Sequence, residues 1–255
     1  MIYDCFTFFN EFELLEIRLN ELGDTVDKFV ICESDLTHTG KEKPLNFPSV
    51  ADKYKQFNID YLVYRGIPDV SNAWINEENQ RNYLAKGLSN CNRQDVIILS
   101  DIDELPNPSA VANFDEPCIC SLQMNVGYFF MNCMFNNFWN HPKIFRYGNI
   151  IAGTLSDIRL CRGDFMTKVI PNGGTHFSYL GGIEKIRYKL SSFAHQEFNN
   201  DNVNNEELLR ARIERNEDLF GTGQTLRTYE LDEIDYYLPA YVSENLPKFQ
   251  HMIRR

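Results

Sequence analysis

Short apolar runs bounded by polar residues recur along the first hundred residues of the chain. Four of these runs predict strands: a short β-prone run at 3–9, and runs at 28–32, 59–64 and 96–100 that are rich in aliphatic and β-branched residues. Between them, apolar residues repeat at helical spacing from Phe12 to Leu22, and a second helix is expected from Ser71 or Asn72 to about residue 88. Strands that alternate with helices predict an α/β fold, with a mixed, mostly parallel, Rossmann-like sheet flanked by helices.

The second half of the chain has a different pattern. Residues 118–138 are rich in aromatic residues, Met and Asn and predict one or two strands, with a turn near residues 125–127. Further predictions are strands at 143–147 and 158–161, a turn at 172–174, a helix at 183–193, an asparagine-rich loop at 199–205 and a helix at 206–219. With no internal repeat and no clean boundary, we expect one domain over residues 1–255, with a C-terminal helix and tail.

Composition narrows the class of protein. The 255 residues are 43% hydrophobic, enough for a substantial core, and carry a formal net charge of −11. This charge argues against nucleic acid as a partner. The seven cysteines are scattered and odd in number, so buried, reduced thiols are expected. The N-terminal segment has neither a basic region nor a long apolar run, so we expect no signal peptide, no transmembrane helix and a soluble, cytoplasmic protein.

The strongest candidate for chemistry is the pair Asp101 and Asp103, with Glu104 beside it, directly after the run 96–100. Ligands of open α/β sheets bind outside the carboxyl ends of the strands. Paired carboxylates there need a positive partner, and Mn²⁺ or Mg²⁺ bound to substrate phosphates is the natural one. The alternatives are a solvated acidic loop and a phosphatase with Asp101 as the nucleophile. Such phosphatases usually carry the motif near the start of the domain, followed by Thr or Val where this chain has Leu105.

Other polar residues are expected near this acidic pair. The first strand ends at Thr7, Phe8 and Asn10 and the second at Glu33 and Ser34, all at the edge where a base or ribose would bind. Arg81 lies in the second predicted helix. Its guanidinium could bind a phosphate or a base, or it could pair with neighbouring glutamates on the helix surface.

Candidates for proton transfer follow the glycine pair 181–182. Glu184 is expected in the first helical turn, where its carboxylate is either simply stabilised by the helix dipole or acts as a general base. Glu197 is a second acidic candidate. His176 and His195 could each be structural or complete a metal site, with His195 preferred. Trp74 and Trp139 are core residues or part of a sugar-stacking platform.

Six stretches appear in order along the chain: MIYDCFTFFNEFELLEIRLNEL, VDKFVICESDLTHTGKEKPL, W-x-x-E-x-x-QRN, DVIILSDIDELPNP, GGTHFSYLGGIEKIRYKLSSFAHQEF and LPAYVSENLPKF. Their order and spacing resemble the β-1,4-mannosyl-glycoprotein β-1,4-N-acetylglucosaminyltransferase family, the bisecting-GlcNAc enzymes and their microbial relatives. The similarity covers most of the chain.

The resemblance implies a GT-A fold, a UDP-GlcNAc donor, a divalent metal ion and inversion at the anomeric carbon. Residues 1–108 would bind the nucleotide sugar, 109–198 would face the acceptor, and 199–255 would form the C-terminal loop, helix and tail. Asp103 would contact the metal ion, and Asp101 the donor ribose or the metal. Glu184 would be the base, with Glu104 and Glu197 as alternatives.

The acceptor and the activity each have two interpretations. The sequence shows no membrane anchor, so the expected acceptor is a lipid-linked or surface-polysaccharide sugar as much as an N-glycan. A catalytically silent protein that binds nucleotide sugars or carbohydrates on the same fold is the competing interpretation, because a fold does not fix a function.

Overall fold

A computed structural model of the chain describes residues 1–150, 153–162, 167–234 and 238–255. Within these ranges the strands are β1 (Ile2–Phe8), β2 (Lys28–Ser34), β3 (Ile59–Tyr64), β4 (Val96–Asp101), β5 (Glu104–Pro106), β6 (Ile119–Tyr128), β7 (Phe130–Trp139), β8 (Lys143–Arg146), β9 (Thr167–Ser178) and β10 (Arg227–Thr228). The helices are α1 (Phe12–Leu22), α2 (Ala73–Tyr83), α3 (Pro108–Ala112), α4 (Leu155–Arg159), α5 (Gly182–Ser192), α6 (Glu206–Glu214), α7 (Leu231–Ile234), α8 (Ala240–Glu244) and α9 (Leu246–Phe249).

The strands form one mixed sheet in the order β10-β7-β6-β8-β4-β1-β2-β3. The run β4-β1-β2-β3 is parallel throughout. Strand β8 joins β4 antiparallel, and β9 pairs parallel with β6 and antiparallel with β5. The predicted mixed α/β sheet flanked by helices is therefore confirmed, and its four N-terminal strands lie where the apolar runs placed them.

Strands β1, β2 and β4 are mostly buried on both faces, which is why they appear in sequence as largely apolar runs. On one face, residues such as Phe6, Phe29 and Ile98 pack in one cluster with the apolar side of α1 and residues of the C-terminal helices. On the other face, residues such as Val30 and Leu99 pack on a 3₁₀ turn at Leu84–Leu88. A third cluster joins the ends of β6 and β7 to α5 and α6.

Four of the predictions for local structure are wrong. Residues 158–161 do not form a strand, because a capping box between Thr154 and Asp157 starts helix α4 there. The turn between β6 and β7 lies at Phe129, which has φ of 64°, and residues 125–127 lie inside β6 at a shift of register. The helix that begins at residue 206 ends at Glu214, two residues before the left-handed Asn216.

The fourth wrong prediction is the turn at 172–174, which instead lies within β9. Gly174 has φ of 140°, and a Cβ atom there would lie 2.0 Å from the backbone oxygen of Leu105. Glycine at this position lets β9 approach β5 closely enough to pair. The pairing sets His176 opposite Glu104 and so carries β9 to the end of β4.

In the described ranges, every helix is too short or too polar to cross a lipid bilayer.

Candidate functional site

The candidate site is the turn between β4 and β5, which presents three carboxylates at the carboxyl edge of the sheet. Strand β4 ends at Asp101 and β5 begins at Glu104, whose Oε2 accepts a hydrogen bond of 2.7 Å from the Asp101 backbone N–H. Asp101 lies opposite Thr7 of β1 in the register of the sheet. The chain therefore places the acidic pair beside the end of the first strand, as the sequence predicted.

A buried guanidinium fixes the shape of this turn. Arg18 of α1 donates to the backbone oxygens of Asp101 at 2.9 Å and of Glu104 at 2.8 Å. The same group forms a two-point ion pair with Asp4, and both side chains are completely buried. Sequence reasoning missed both residues. The available signal was a charge within the apolar strand β1 and another within the apolar face of α1.

Two further arginines neutralise Asp101. Its Oδ1 lies 3.3 Å from Arg81 and its Oδ2 lies 3.0 Å from Arg159. Burial alone would raise the pKa of Asp101, but the two guanidinium groups outweigh it and lower the pKa to about 2. Arg81 also pairs with Glu77 at 2.7 Å, so the predicted pairing with a neighbouring glutamate is confirmed, and binding of a phosphate or a base stays a prediction. Arg159 was missed because its segment was expected to be a strand.

Asp103 has a different set of partners. Its Oδ2 accepts from Lys189 of α5 at 2.7 Å, and its Oδ1 lies 3.7 Å from His176 Nε2. Burial opposes ionisation here too, but Lys189 and His176 hold the pKa of Asp103 well below its usual range. The Asp103 carbonyl oxygen accepts from Phe177 N at 2.7 Å, so β9 fixes the backbone as well.

Glu104 is the most enclosed of the three carboxylates, with 1% of its side chain exposed. Besides the Asp101 N–H, it accepts from Arg159 at 2.5 Å and from the indole nitrogen of Trp139. All of its contacts lie within the turn or its supports. Glu104 therefore orders the cluster, and the half-buried Trp139 supports it through its indole N–H.

The cluster also allows a test of whether its residues suit a divalent ion. Among the residues that the structure describes, no three His, Cys, Asp or Glu side chains converge on one point. Mg²⁺ and Mn²⁺, however, are commonly held by one or two protein groups plus substrate phosphates. Asp103 and His176 supply such a set, because His176 Nε2 lies 3.7 Å from Asp103 Oδ1. These two residues fit a divalent ion that arrives with phosphates, once Lys189 has left Asp103.

The other predicted donor-binding residues line the same edge in different environments. Asn10 borders a cavity of about 40 Å³ together with Asp103 and Lys189. Phe8 is buried in the core. Glu33 is completely buried and accepts from Lys43 at 2.8 Å, from Tyr61 at 2.8 Å and from two backbone N–H groups. The hydroxyl of Ser34 accepts from Leu36 N at 3.1 Å.

The structure places Glu184, Glu197 and His195 outside this cluster. Glu184 lies in the first turn of α5 and borders a second cavity of about 460 Å³, shared with residues of α6. His195 Nδ1 pairs with Glu197 at 2.6 Å, and its ring centroid lies 4.3 Å from that of Trp74. In the described structure, neither His195 nor Glu197 contacts Asp101 or Asp103. His176, the alternative to His195, is the histidine that approaches the acidic pair.

Comparisons with known proteins agree with the family resemblance of the six sequence stretches. The model of glycosyltransferase family 17 matches residues 1–253. Three similar proteins are named beta-1,4-mannosyl-glycoprotein 4-beta-N-acetylglucosaminyltransferase. The human protein is 28% identical over 176 residues, which is 63% of this chain and 30% of that protein. The rat protein is 35% identical over 107 residues, 38% of this chain and 20% of its own length, and the mouse protein is 27% identical over 176 residues. The matched region thus spans less than a third of each relative.

Proposed function

The chain belongs to glycosyltransferase family 17, and from this premise we propose that it transfers GlcNAc from a UDP-sugar to a hydroxyl group of a glycan or lipid-linked saccharide. The observation that carries the proposal is the cluster of Asp101, Asp103 and Glu104 at the carboxyl edge of β4, beside the end of β1. This is where nucleotides bind in open α/β sheets. The expected arrangement is that of the GT-A glycosyltransferases.

The donor half of the site follows from the cluster. Asp101 and Arg81, with Thr7 and Asn10 at the end of β1, bind the nucleoside. Asp103 and His176 would hold Mn²⁺ or Mg²⁺, which when bound supplies positive charge for the leaving diphosphate. Arg18 keeps the turn in shape, so the carboxylates need no rearrangement when the donor arrives.

The transfer itself is a single in-line displacement with inversion. The acceptor oxygen bonds to the anomeric carbon, the bond from that carbon to the diphosphate oxygen breaks, and the acceptor proton passes to a carboxylate. For this proton acceptor we propose Glu184. Its support is the 460 Å³ cavity that it borders, which has the volume of a site for a small ligand such as one or two sugar rings. Glu197 is the second candidate.

Two alternatives predicted from the sequence have less support than the transferase. The family match gives no support to a phosphatase. A silent binding protein on the same fold remains the competitor, and it predicts stabilisation by a nucleotide sugar without turnover.

The experiment measures UDP release from a panel of UDP-sugars with Mn²⁺ or EDTA, in water and with a β-mannosyl oligosaccharide as acceptor. We expect release from UDP-GlcNAc and a loss of about 10²- to 10³-fold in Asp103→Asn. The control is Asp115→Asn, which alters an exposed carboxylate paired with Arg146. Full activity of Asp103→Asn would refute the site, and thermal stabilisation without UDP release would favour the binding protein.

A further inference from the structure

Lys189 is the cation nearest to Asp103, and it differs from the other cations of the cluster. Its side chain is 30% exposed, whereas those of Arg81 and Arg159 are 5% and 4% exposed. Each arginine bridges two carboxylates, Arg81 those of Glu77 and Asp101, and Arg159 those of Asp101 and Glu104. In the described structure, Lys189 forms an ion pair with Asp103 alone. It can therefore leave its partner without breaking a second ion pair.

The helix that carries Lys189 lies across the end of β1. One turn before it, Lys185 pairs with Glu13 at 2.9 Å. The ring of Tyr188 stacks on that of Phe9, with centroids 5.3 Å apart. The cavity that Asp103 and Lys189 border measures about 40 Å³, far below the several hundred Å³ of an ordinary ligand site. A diphosphate that reaches Asp103 must therefore meet Lys189.

We propose that Lys189 binds the donor diphosphate and that, in the protein without donor, it is held on Asp103 in the place that a divalent ion would take. On donor binding its ammonium moves from the Asp103 carboxylate to a phosphate oxygen. The carboxylate becomes free for the ion in the same event, so no buried charge is left unpaired. The donor class in this inference rests on the proposed function.

The physical basis is a competition between two anions for one ammonium. A lysine acts as a compact point charge, and it is a common phosphate ligand. A nucleoside diphosphate carries more negative charge than a single carboxylate. Lys189 therefore favours the diphosphate, provided that Asp103 obtains another positive partner. Removing the lysine should consequently have opposite effects on the two ligands, weaker binding of the diphosphate and tighter binding of the metal ion.

The experiment measures two affinities by calorimetry, UDP in saturating Mn²⁺ and Mn²⁺ alone, in the full chain. The test variant is Lys189→Met, and the matched control is Lys185→Met, which removes an equivalent ion pair one turn away on the same helix. In Lys189→Met we expect UDP binding to weaken by about 10- to 100-fold and Mn²⁺ binding to tighten by about tenfold or more. Lys185→Met should leave both affinities unchanged, and Lys189→Arg should retain most of the UDP affinity.

Two results would overturn the inference. One is a Lys189→Met protein whose two affinities equal those of the control. The other is a loss of both affinities, which would mean that Lys189 only maintains the shape of the site. Wild-type protein that binds no UDP would instead refute the proposed function, and the inference with it.

Discussion

The guanidinium of Arg18 and the carboxylate of Asp4 face each other in a two-point ion pair, with Nε–Oδ2 of 2.8 Å and Nη2–Oδ1 of 2.7 Å. Neither side chain is exposed. A buried ion pair is often no more stabilising than apolar residues of the same size. Here the remaining donors of Arg18 reach the backbone of the acidic turn. We infer that the pair serves to shape the site.

Loss of Arg18 should destabilise the protein strongly. Arg18→Met leaves the Asp4 carboxylate buried without its partner, and we expect a loss of about 3–5 kcal/mol in the free energy of unfolding in urea. Arg65→Met is the matched control, since Arg65 is 65% exposed and pairs with Asp35 on the surface. That change should cost about 1 kcal/mol or less. Similar losses in the two variants would contradict the role of Arg18.

The pair Asp4→Leu and Arg18→Met tests shape separately from stability. Removing both charges leaves no unpaired ion, so we expect the double variant to recover much of the lost stability. The backbone oxygens of Asp101 and Glu104 would still lack the hydrogen bonds that Arg18 donates, so UDP binding should stay weak. A double variant that binds UDP as wild type does would show that the turn holds its shape without Arg18.

The acid stability of the protein should depend on Asp101. Arg159 and Arg81 lower its pKa to about 2 in the folded protein, against about 3.9 in an unfolded chain. Because the folded-state pKa is the lower one, ionised Asp101 stabilises the fold fully above about pH 5, and this contribution is lost as the pH falls towards 2. The difference in unfolding free energy between wild type and Asp101→Asn should therefore shrink between about pH 4 and pH 2. Urea titrations at several pH values measure it, and a constant difference would refute the assignment.

The sequence predicted the framework of this site because the framework is local. The runs that become β1, β2 and β4 are largely apolar because both faces of the sheet are covered there, and the carboxylates follow directly where β4 ends. Arg81 was found because α2 has a capping asparagine, Asn72, that marks where the helix begins. Each of these signals lies within about ten residues of the feature that it predicts.

The partners of the carboxylates were missed because they are distant along the chain. Arg18 lies 83 residues before Asp101, Arg159 lies 58 residues after it, and Lys189 lies 86 residues after Asp103. Periodicity and spacing describe neighbours on one element and carry no information on such pairs. For Lys189 the helix was predicted, but a lysine on an amphipathic helix is ordinarily a surface residue.

Trp74 should affect the acceptor more than the donor. It lies seven residues before Arg81 on the same face of α2, about 10 Å along the helix axis from the arginine that contacts Asp101. It is 38% exposed beside the His195–Glu197 pair. Loss of its stacking surface in Trp74→Ala should raise the KM for a β-mannosyl oligosaccharide by about 5- to 30-fold and leave the KM for UDP-GlcNAc unchanged. Ile75→Ala, at an equally exposed neighbour on another face of α2, is the control. Equal changes in both KM values would exclude an acceptor platform.

Glu184 can be tested as the proton acceptor by a change that keeps its size. Glu184→Gln removes the basic oxygen, and for a general base we expect the rate of transfer to fall by about 10²- to 10⁴-fold while UDP binding is retained. Glu206→Gln is the control within the same cavity, and Glu197→Gln tests the second candidate. If Glu184→Gln transfers at the wild-type rate and Glu197→Gln does not, the base is Glu197, which lies beside Trp74.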